Sequence, residues 1–431
     1  MTNATSLLPR GLALCALLAA GALSPAAAAE PADQACIGSY RLQDGRDVDL
    51  AMSDESHYRW RMKDGTSGKL SWAAPGDWTS TLGWTERADG HRVALPDCAS
   101  GRIAFDGIAG ERLAFDVIET RFVSAGATLA GRLVLPPGRN RVPIVVLVHG
   151  SERDSARDYY ALQRQFPSEG IGAFVYDKRG TGASGGRYTQ NFLTLANDAI
   201  AALREARRLA GARAGKMGYQ AGSQGGWVAP LAAKIEPADF VIVSFGLAVS
   251  PLDEDRAAIE LDMTRRGYGA DVVAKAMQVA DATAAVLESD FREGYEQVAR
   301  IKQRYGAEPW FKFVRGNVSF FILEKPEAEL RSVGPTLFPG TPMDYDALPV
   351  LRNLRTPQLW LLGGEDIDAP SAETARRLSA LAKDGAPIRF TVFPHAEHGM
   401  YEFELGADGS RLSTRQPAAY FPQMRDFIKA R

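Results

Sequence analysis

Residues 143–148 (Pro-Ile-Val-Val-Leu-Val) and 240–245 (Phe-Val-Ile-Val-Ser-Phe) are too apolar to face water on either side. Short runs of this kind belong to strands covered on both faces, as in a parallel sheet with helices packed above and below. Further strand-like runs follow the same logic at 128–135, 171–176, 216–219, 358–362 and 388–393. Between them lie helical patterns, such as 191–210 with Phe192, Leu195, Ile200, Leu203 and Leu209 at apolar spacing. From about residue 119 to 431, alternating strands and amphipathic helices predict an α/β domain with a mostly parallel central sheet. Residues 250–345 break the alternation with charged helical stretches and an aromatic, proline-bearing segment. An insertion of that size after a buried strand is expected to form a helical lid.

The region before 119 has another texture. Short strand-like runs at 40–42, 48–50, 57–62 and 69–72 are separated by Asp44-Gly45, Asp64-Gly65 and Pro75-Gly76. Asp-Gly between alternating runs is a hairpin signal, so residues 30–118 are expected to form a small antiparallel β-domain. Trp60, Trp72, Trp78 and Trp84 fall inside it. They are read as the core of a small sheet, with an aromatic ligand platform as the alternative.

Residues 1–29 differ again: Arg10 is the only charge, an apolar run spans 11–20, and Ala27-Ala28-Ala29 precedes Glu30. This is the pattern of a secretory signal cleaved after Ala29, and the run falls short of the ~20 residues of a spanning helix. A periplasmic or extracellular location follows as an expectation, with no membrane span in the mature chain. Setting Cys15 aside leaves Cys36 and Cys98. In an oxidising compartment they are expected to form a disulfide, the alternative being two buried free thiols.

Composition excludes more than it selects. Among 431 residues, 50 basic and 52 acidic side chains leave a net charge of −2, without the basic surface that nucleic acid requires. Three cysteines and five histidines are too few for a zinc cluster or a disulfide scaffold. No metal or organic cofactor is implied, and the oligomeric state cannot be read.

The chemistry gathers around Ser223. It sits where the strand at 216–219 should turn into a helix, within Ala221-Gly222-Ser223-Gln224-Gly225-Gly226. A serine nucleophile needs a sharp, strained turn that lifts its hydroxyl clear of the sheet, with small residues two positions either side. Ala221 departs mildly from the glycine usual there. A serine hydroxyl also needs a base, and the base an orienter. Asp366 and Asp368 lie just past the 358–362 strand, and His395 and His398 just past the 388–393 strand. The order Ser, Asp, His is that of the α/β-hydrolase fold. Gly180-Thr181-Gly182-Ala183-Ser184-Gly185 spells a dinucleotide-binding fingerprint, but no helix opens at the third glycine and no acid ends a following strand. It reads as a tight turn fixed by Asp177 and Arg179.

Over about 119–431 the chain resembles the α/β-hydrolase superfamily, in its bacterial esterase and dipeptidyl-peptidase-like branches. The resemblance rests on His149-Gly150-Ser151, on 177–184 (Asp-Lys-Arg-Gly-Thr-Gly-Ala-Ser), on the Ser223 turn, and on Gly364-Glu365-Asp366 with His398-Gly399. It implies Ser223 as nucleophile, His398 as general base and then acid, and Asp366 as its orienter. His398 is preferred to His395 because a histidine before glycine matches the family turn, and Asp366 to Asp368 for its spacing to Pro370. Backbone N–H groups of Gln224 and Ser151 would form the oxyanion hole, with His149 packing beside it. Glu152 is a departure, since a carboxylate near a developing oxyanion is unhelpful unless it points away.

The implied activity is a secreted serine hydrolase cleaving carboxylic esters, its partner a small acyl ester. The alternatives are a peptidase or aminopeptidase with the same residues, a thioesterase, or a binding protein with an inactive hydrolase domain. Trp310, Phe311 and Phe313 are read either as an apolar substrate pocket or as the lid's packing core.

Overall fold

The computed structural model describes residues 32–54 and 56–431. The expected secretory segment 1–29, with Cys15, lies outside the described residues. Among the described residues no helix is long and apolar enough to cross a membrane.

The N-terminal strands are β1 (Gly38–Leu42), β2 (Asp47–Met52), β3 (Tyr58–Met62), β4 (Ser67–Ala74), β5 (Asp77–Leu82), β6 (Ala88–Ala94), β7 (Arg102–Phe105) and β8 (Ile108–Arg112). Each pairs antiparallel with the next, and β8 returns to β1 with Tyr40 opposite Arg112, so the sheet closes into a barrel. Closure removes the edges that a small open sheet would expose. Tyr40, Leu50, Tyr58, Trp60, Leu70, Trp78 and Phe105 fill the interior. Trp60 donates its indole N–H to Ser80 Oγ at 2.8 Å, which satisfies the one polar atom it buries. A disulfide joins Cys36, just ahead of β1, to Cys98, between β6 and β7. Trp84 differs from the other tryptophans. It is 37 % exposed, stacks edge-on to Tyr401 at 4.4 Å and lies 3.6 Å beneath the Arg59 guanidinium, so it belongs to the seam with the second domain.

The second domain is built on β9 (Asp116–Ser124), β10 (Ala127–Leu135), β11 (Val142–Val148), β12 (Gly172–Tyr176), β13 (Ala214–Gly222), β14 (Phe240–Ser244), β15 (Gln358–Gly363) and β16 (Ile388–Phe393). Their spatial order is β16-β15-β14-β13-β11-β12-β10-β9, parallel from β16 to β12 and antiparallel at β10 and β9. Because β11, β13, β14 and β15 are covered on both faces, two cores form. Phe192, Leu203, Trp227 and Val228 pack on one face, against Val146, Tyr219, Val243 and Trp360. Phe166, Phe421, Met424 and Ile428 pack on the other, against Val145, Leu147, Ile242 and Leu361.

Between β14 and β15 the chain leaves the sheet for six α-helices, Pro251–Arg265, Ala270–Glu288, Tyr295–Tyr305, Ser319–Glu324, Glu327–Leu337 and Leu348–Asn353. Trp310 is buried among Ile259, Met263, Val279 and Tyr305, with Phe311 and Phe313 packed at the rim. The aromatic cluster is therefore packing core of the insertion and does not line the cavity described below. After β16 a hairpin of β17 (Glu402–Leu405) and β18 (Arg411–Arg415) precedes the last helix, Tyr420–Lys429. This hairpin meets the barrel backbone to backbone: Trp84 N–H donates to Ser413 O at 2.7 Å and Gln416 N–H to Gly65 O at 2.9 Å.

Candidate active site

Ser223 follows β13 directly and has φ 51, a left-handed conformation that side chains other than glycine rarely adopt. Its neighbours make the strain tolerable. A Cβ on Gly225 would stand 2.8 Å from Val148 O and 3.0 Å from Ala221 Cβ. Position 225 therefore needs glycine, while Ala221 fits. The helix Gly225–Ile235 leaves at once, which turns the Ser223 side chain away from the sheet.

Asp366 stands past the end of β15, 2 % exposed, its Oδ1 accepting the N–H groups of Asp368 at 3.1 Å and Ala369 at 2.7 Å. Its Oδ2 lies 2.9 Å from His398 Nδ1, and His398 Nε2 lies 3.1 Å from Ser223 Oγ. Gly399 takes φ 75 to carry the turn after the histidine, the conformational reason for glycine there. His395 is exposed, while Asp368 lines the cavity, its backbone N–H donating to Asp366 Oδ1 and its carbonyl accepting Asn317 Nδ2–H. Burial disfavours a charged His398, but the hydrogen bond and charge of Asp366, with the charge of Asp368, outweigh it and raise its pKa above 6.5. The Phe245 ring packs edge-on to the imidazole at 5.0 Å.

A cavity of about 270 Å³ opens over Ser223 and His398. Ser151, Gln224 and Trp227 line it from the sheet side, and Glu254, Val318, Phe338 and Met343 from the insertion. Among the described residues neither the Ser151 nor the Gln224 backbone N–H has a hydrogen-bond acceptor. Two free donors thus flank the serine. Glu152 is held by the same loop, its Oε1 accepting Gly150 N–H at 3.2 Å and the Tyr160 hydroxyl. His149 Nε2 accepts Lys178 N–H at 2.9 Å, which leaves the proton of the neutral ring on Nδ1, 3.4 Å from Glu152 Oε1. Burial lowers the His149 pKa and keeps it in that neutral form.

Glu254 was not legible as a site residue. Asp253 and Glu254 open a lid helix capped by Ser250, where carboxylates are ordinary helix chemistry. In the structure Glu254 faces the cavity and accepts Asn317 Nδ2 at 3.3 Å. Burial first, then the charges of Asp366, Asp255 and Asp368, push its carboxyl up to about 8 against the opposing charge of His398. At neutral pH it is mostly an uncharged acid.

The glycine-rich turn at 180–185 encloses Asp177 and no phosphate cradle. Asp177 Oδ1 accepts Ser155 Oγ–H at 2.8 Å and Oδ2 accepts Ala183 N–H at 2.9 Å, while a Cβ on Gly182 would meet Oδ2 at 2.5 Å. Among the described residues no cluster of three or more His, Cys, Asp or Glu is placed to hold a metal.

The sheet order, with the serine turn past its central strand β13 and the histidine past β16, defines the fold: the second domain has the α/β-hydrolase architecture and follows an N-terminal β-barrel. A family model described as serine aminopeptidase, S33, matches residues 139–285. That span takes in Ser151, Ser223 and Glu254 but ends before Asp366 and His398. No curated protein matches the chain. Similar solved structures include an esterase from Pyrococcus furiosus (12% identity, 73% of this chain and 91% of that one, TM-score 0.44). Another is an acylaminoacyl peptidase from Pyrococcus horikoshii (15% identity, 89% of this chain and 55% of that one, TM-score 0.44).

Proposed function

We propose that this protein is a serine hydrolase that cleaves carboxylic esters through an acyl-enzyme. The hydrogen-bonded series from Asp366 through His398 to Ser223, opening onto a cavity, carries the reading. Ser223 Oγ attacks the ester carbonyl carbon as its proton passes to His398 Nε2. The resulting oxyanion sits against the N–H groups of Ser151 and Gln224, each such donor contributing about 3 kcal/mol. His398 returns the proton to the departing alkoxide, leaving Ser223 acylated. Water then attacks the acyl carbon, losing its proton to His398, which passes it to Ser223 Oγ as the acid departs and the free serine is restored. Asp366 holds the imidazole in the required tautomer and favours its charged form in both steps. Phe338, Met343, Val318 and Trp227 favour an apolar acyl or alcohol group. The disulfide between Cys36 and Cys98 supports an oxidising compartment, hence export.

Ser223→Ala should lower p-nitrophenyl ester turnover by about 10⁴-fold or more and abolish labelling by a fluorophosphonate. Turnover equal to that of the parent protein would sink the proposal. Glu254 favours a second reading, an aminopeptidase of the same mechanism. A half-buried carboxyl on the cavity wall suits a substrate ammonium group, whose charge would draw off its proton. Aminoacyl nitroanilides measured beside uncharged esters separate the two.

A further inference from the structure

The 149–152 loop is gripped by a buried cation that the proposed reaction does not use. Lys178, 3 % exposed, follows β12 in the Asp177-Lys178-Arg179 segment. Its Nζ donates to Gly150 O and lies 3.5 Å from Gln224 Oε1, so one ammonium touches both loops that carry the free N–H groups. Its backbone N–H holds the His149 ring.

The opposite faces of the loop are held as well. Gly150 N–H donates to Glu152, and the Tyr188 hydroxyl donates to Ser151 O at 2.6 Å. Tyr188 in turn stacks 5.1 Å from the Lys178 ammonium.

In a planar trans peptide the carbonyl and the following N–H point in opposite directions. No cis peptide occurs among the described residues. With Gly150 C=O turned to Lys178, Ser151 N–H must face away from it, and Ser151 is a wall of the cavity over Ser223. Gly150 stands close by: a Cβ placed on it would lie 3.1 Å from Ser223 Cβ. Without the ammonium, a rotation of this one peptide would present a carbonyl where the reaction needs a donor. We infer that Lys178 is the positioning residue of the oxyanion hole, fixing the peptide between Gly150 and Ser151 with its N–H toward the reacting carbonyl and steadying the Gln224 loop.

The inference rests on Ser223 being the nucleophile. Lys178→Met should lower kcat about 10²-fold with KM changed less than threefold, as for the loss of one oxyanion donor. Affinity for a trifluoromethyl ketone, which forms a tetrahedral adduct, should fall by a similar factor. Affinity for the corresponding uncharged amide, a ground-state mimic, should not change. Lys178→Gln, which keeps a donor for Gly150 O, should recover part of kcat. If Lys178→Met does not fold, Lys178→Gln carries the same test through the ketone and amide affinities, the first expected to fall and the second to stay unchanged. Unchanged kcat in the folded variant, or equal weakening for ketone and amide, overturns the role of Lys178. Ser223→Ala separates the two ideas. If it is inactive while Lys178→Met is fully active, only the inference fails; if it is active, the reading of the site itself fails.

Discussion

The barrel and the helical insertion approach the site from different sides and do different work. Toward the barrel, a buried ion pair is joined by backbone hydrogen bonds. Arg164 grips Asp49 through two hydrogen bonds of 2.7 and 2.9 Å, and the hairpin of β17 and β18 is tied to Gly65 and Trp84. The same hairpin braces the residues that precede His398 and Asp366. Ser413 Oγ donates to Glu397, which precedes His398, and Arg411 donates to the carbonyl of Glu365, which precedes Asp366. The insertion meets the site mainly through side chains. It has two cores of its own and supplies Glu254, Asn317, Phe338 and Met343 as cavity wall. One side determines where His398 and Asp366 stand; the other determines which molecule fits over them.

Breaking the positioned side at its centre should have the largest effect. Asp366→Asn should cut kcat about 10⁴-fold, because the imidazole loses both its tautomer and its charge partner. It should also shift the pH profile in a defined direction. His398 accepts a proton only when neutral, so its raised pKa places the acid limb of kcat/KM above pH 6.5, with activity lost as pH falls through it. In residual Asp366→Asn activity that limb should move to lower pH. A limb that stays in place would mean that another group controls it.

A cut at the barrel seam should affect stability more than chemistry. Arg164→Met strands the buried Asp49 with Ser39 as its remaining partner, at a cost of about 3 kcal/mol. Thermal melting should fall by several degrees, while turnover per fluorophosphonate-labelled site changes little. An undiminished melting temperature would mean that the barrel is not braced through this pair.

The smallest effect is expected on the insertion side. Glu254→Gln should leave KM for uncharged esters within about twofold and raise KM for aminoacyl substrates about tenfold, the worth of one charge-assisted hydrogen bond. An equal change for both substrate types would move Glu254 from selectivity to general packing.

Much of the α/β domain was legible because its signals are local. A strand covered on both faces must be apolar along its length, as residues 143–148 and 240–245 are. A serine in a left-handed turn needs small neighbours, and Gly222, Gly225 and Gly226 supply them. Barrel closure was not legible, since the pairing of Tyr40 with Arg112 joins residues far apart in the chain and leaves no mark on either. The strand β9 alternates weakly because it is an edge, and the hairpin after Met400 reads as ordinary polar turn sequence around Asp408-Gly409. Trp84 carried the same signal as Trp60, yet one fills the barrel and the other its outer seam.

The amino-acid sequence by itself determined the succession of strands and helices, the serine turn, and the Ser, Asp, His order, because each depends on hydrophobic spacing or turn chemistry within a few residues. Only the tertiary structure decided that His398 and not His395 reaches Ser223, that Glu152 is held by Gly150 N–H and the Tyr160 hydroxyl, and that Lys178 and Glu254 stand beside the site. Those outcomes depend on which surfaces pack together. A buried lysine or glutamate is spelled no differently from an exposed one.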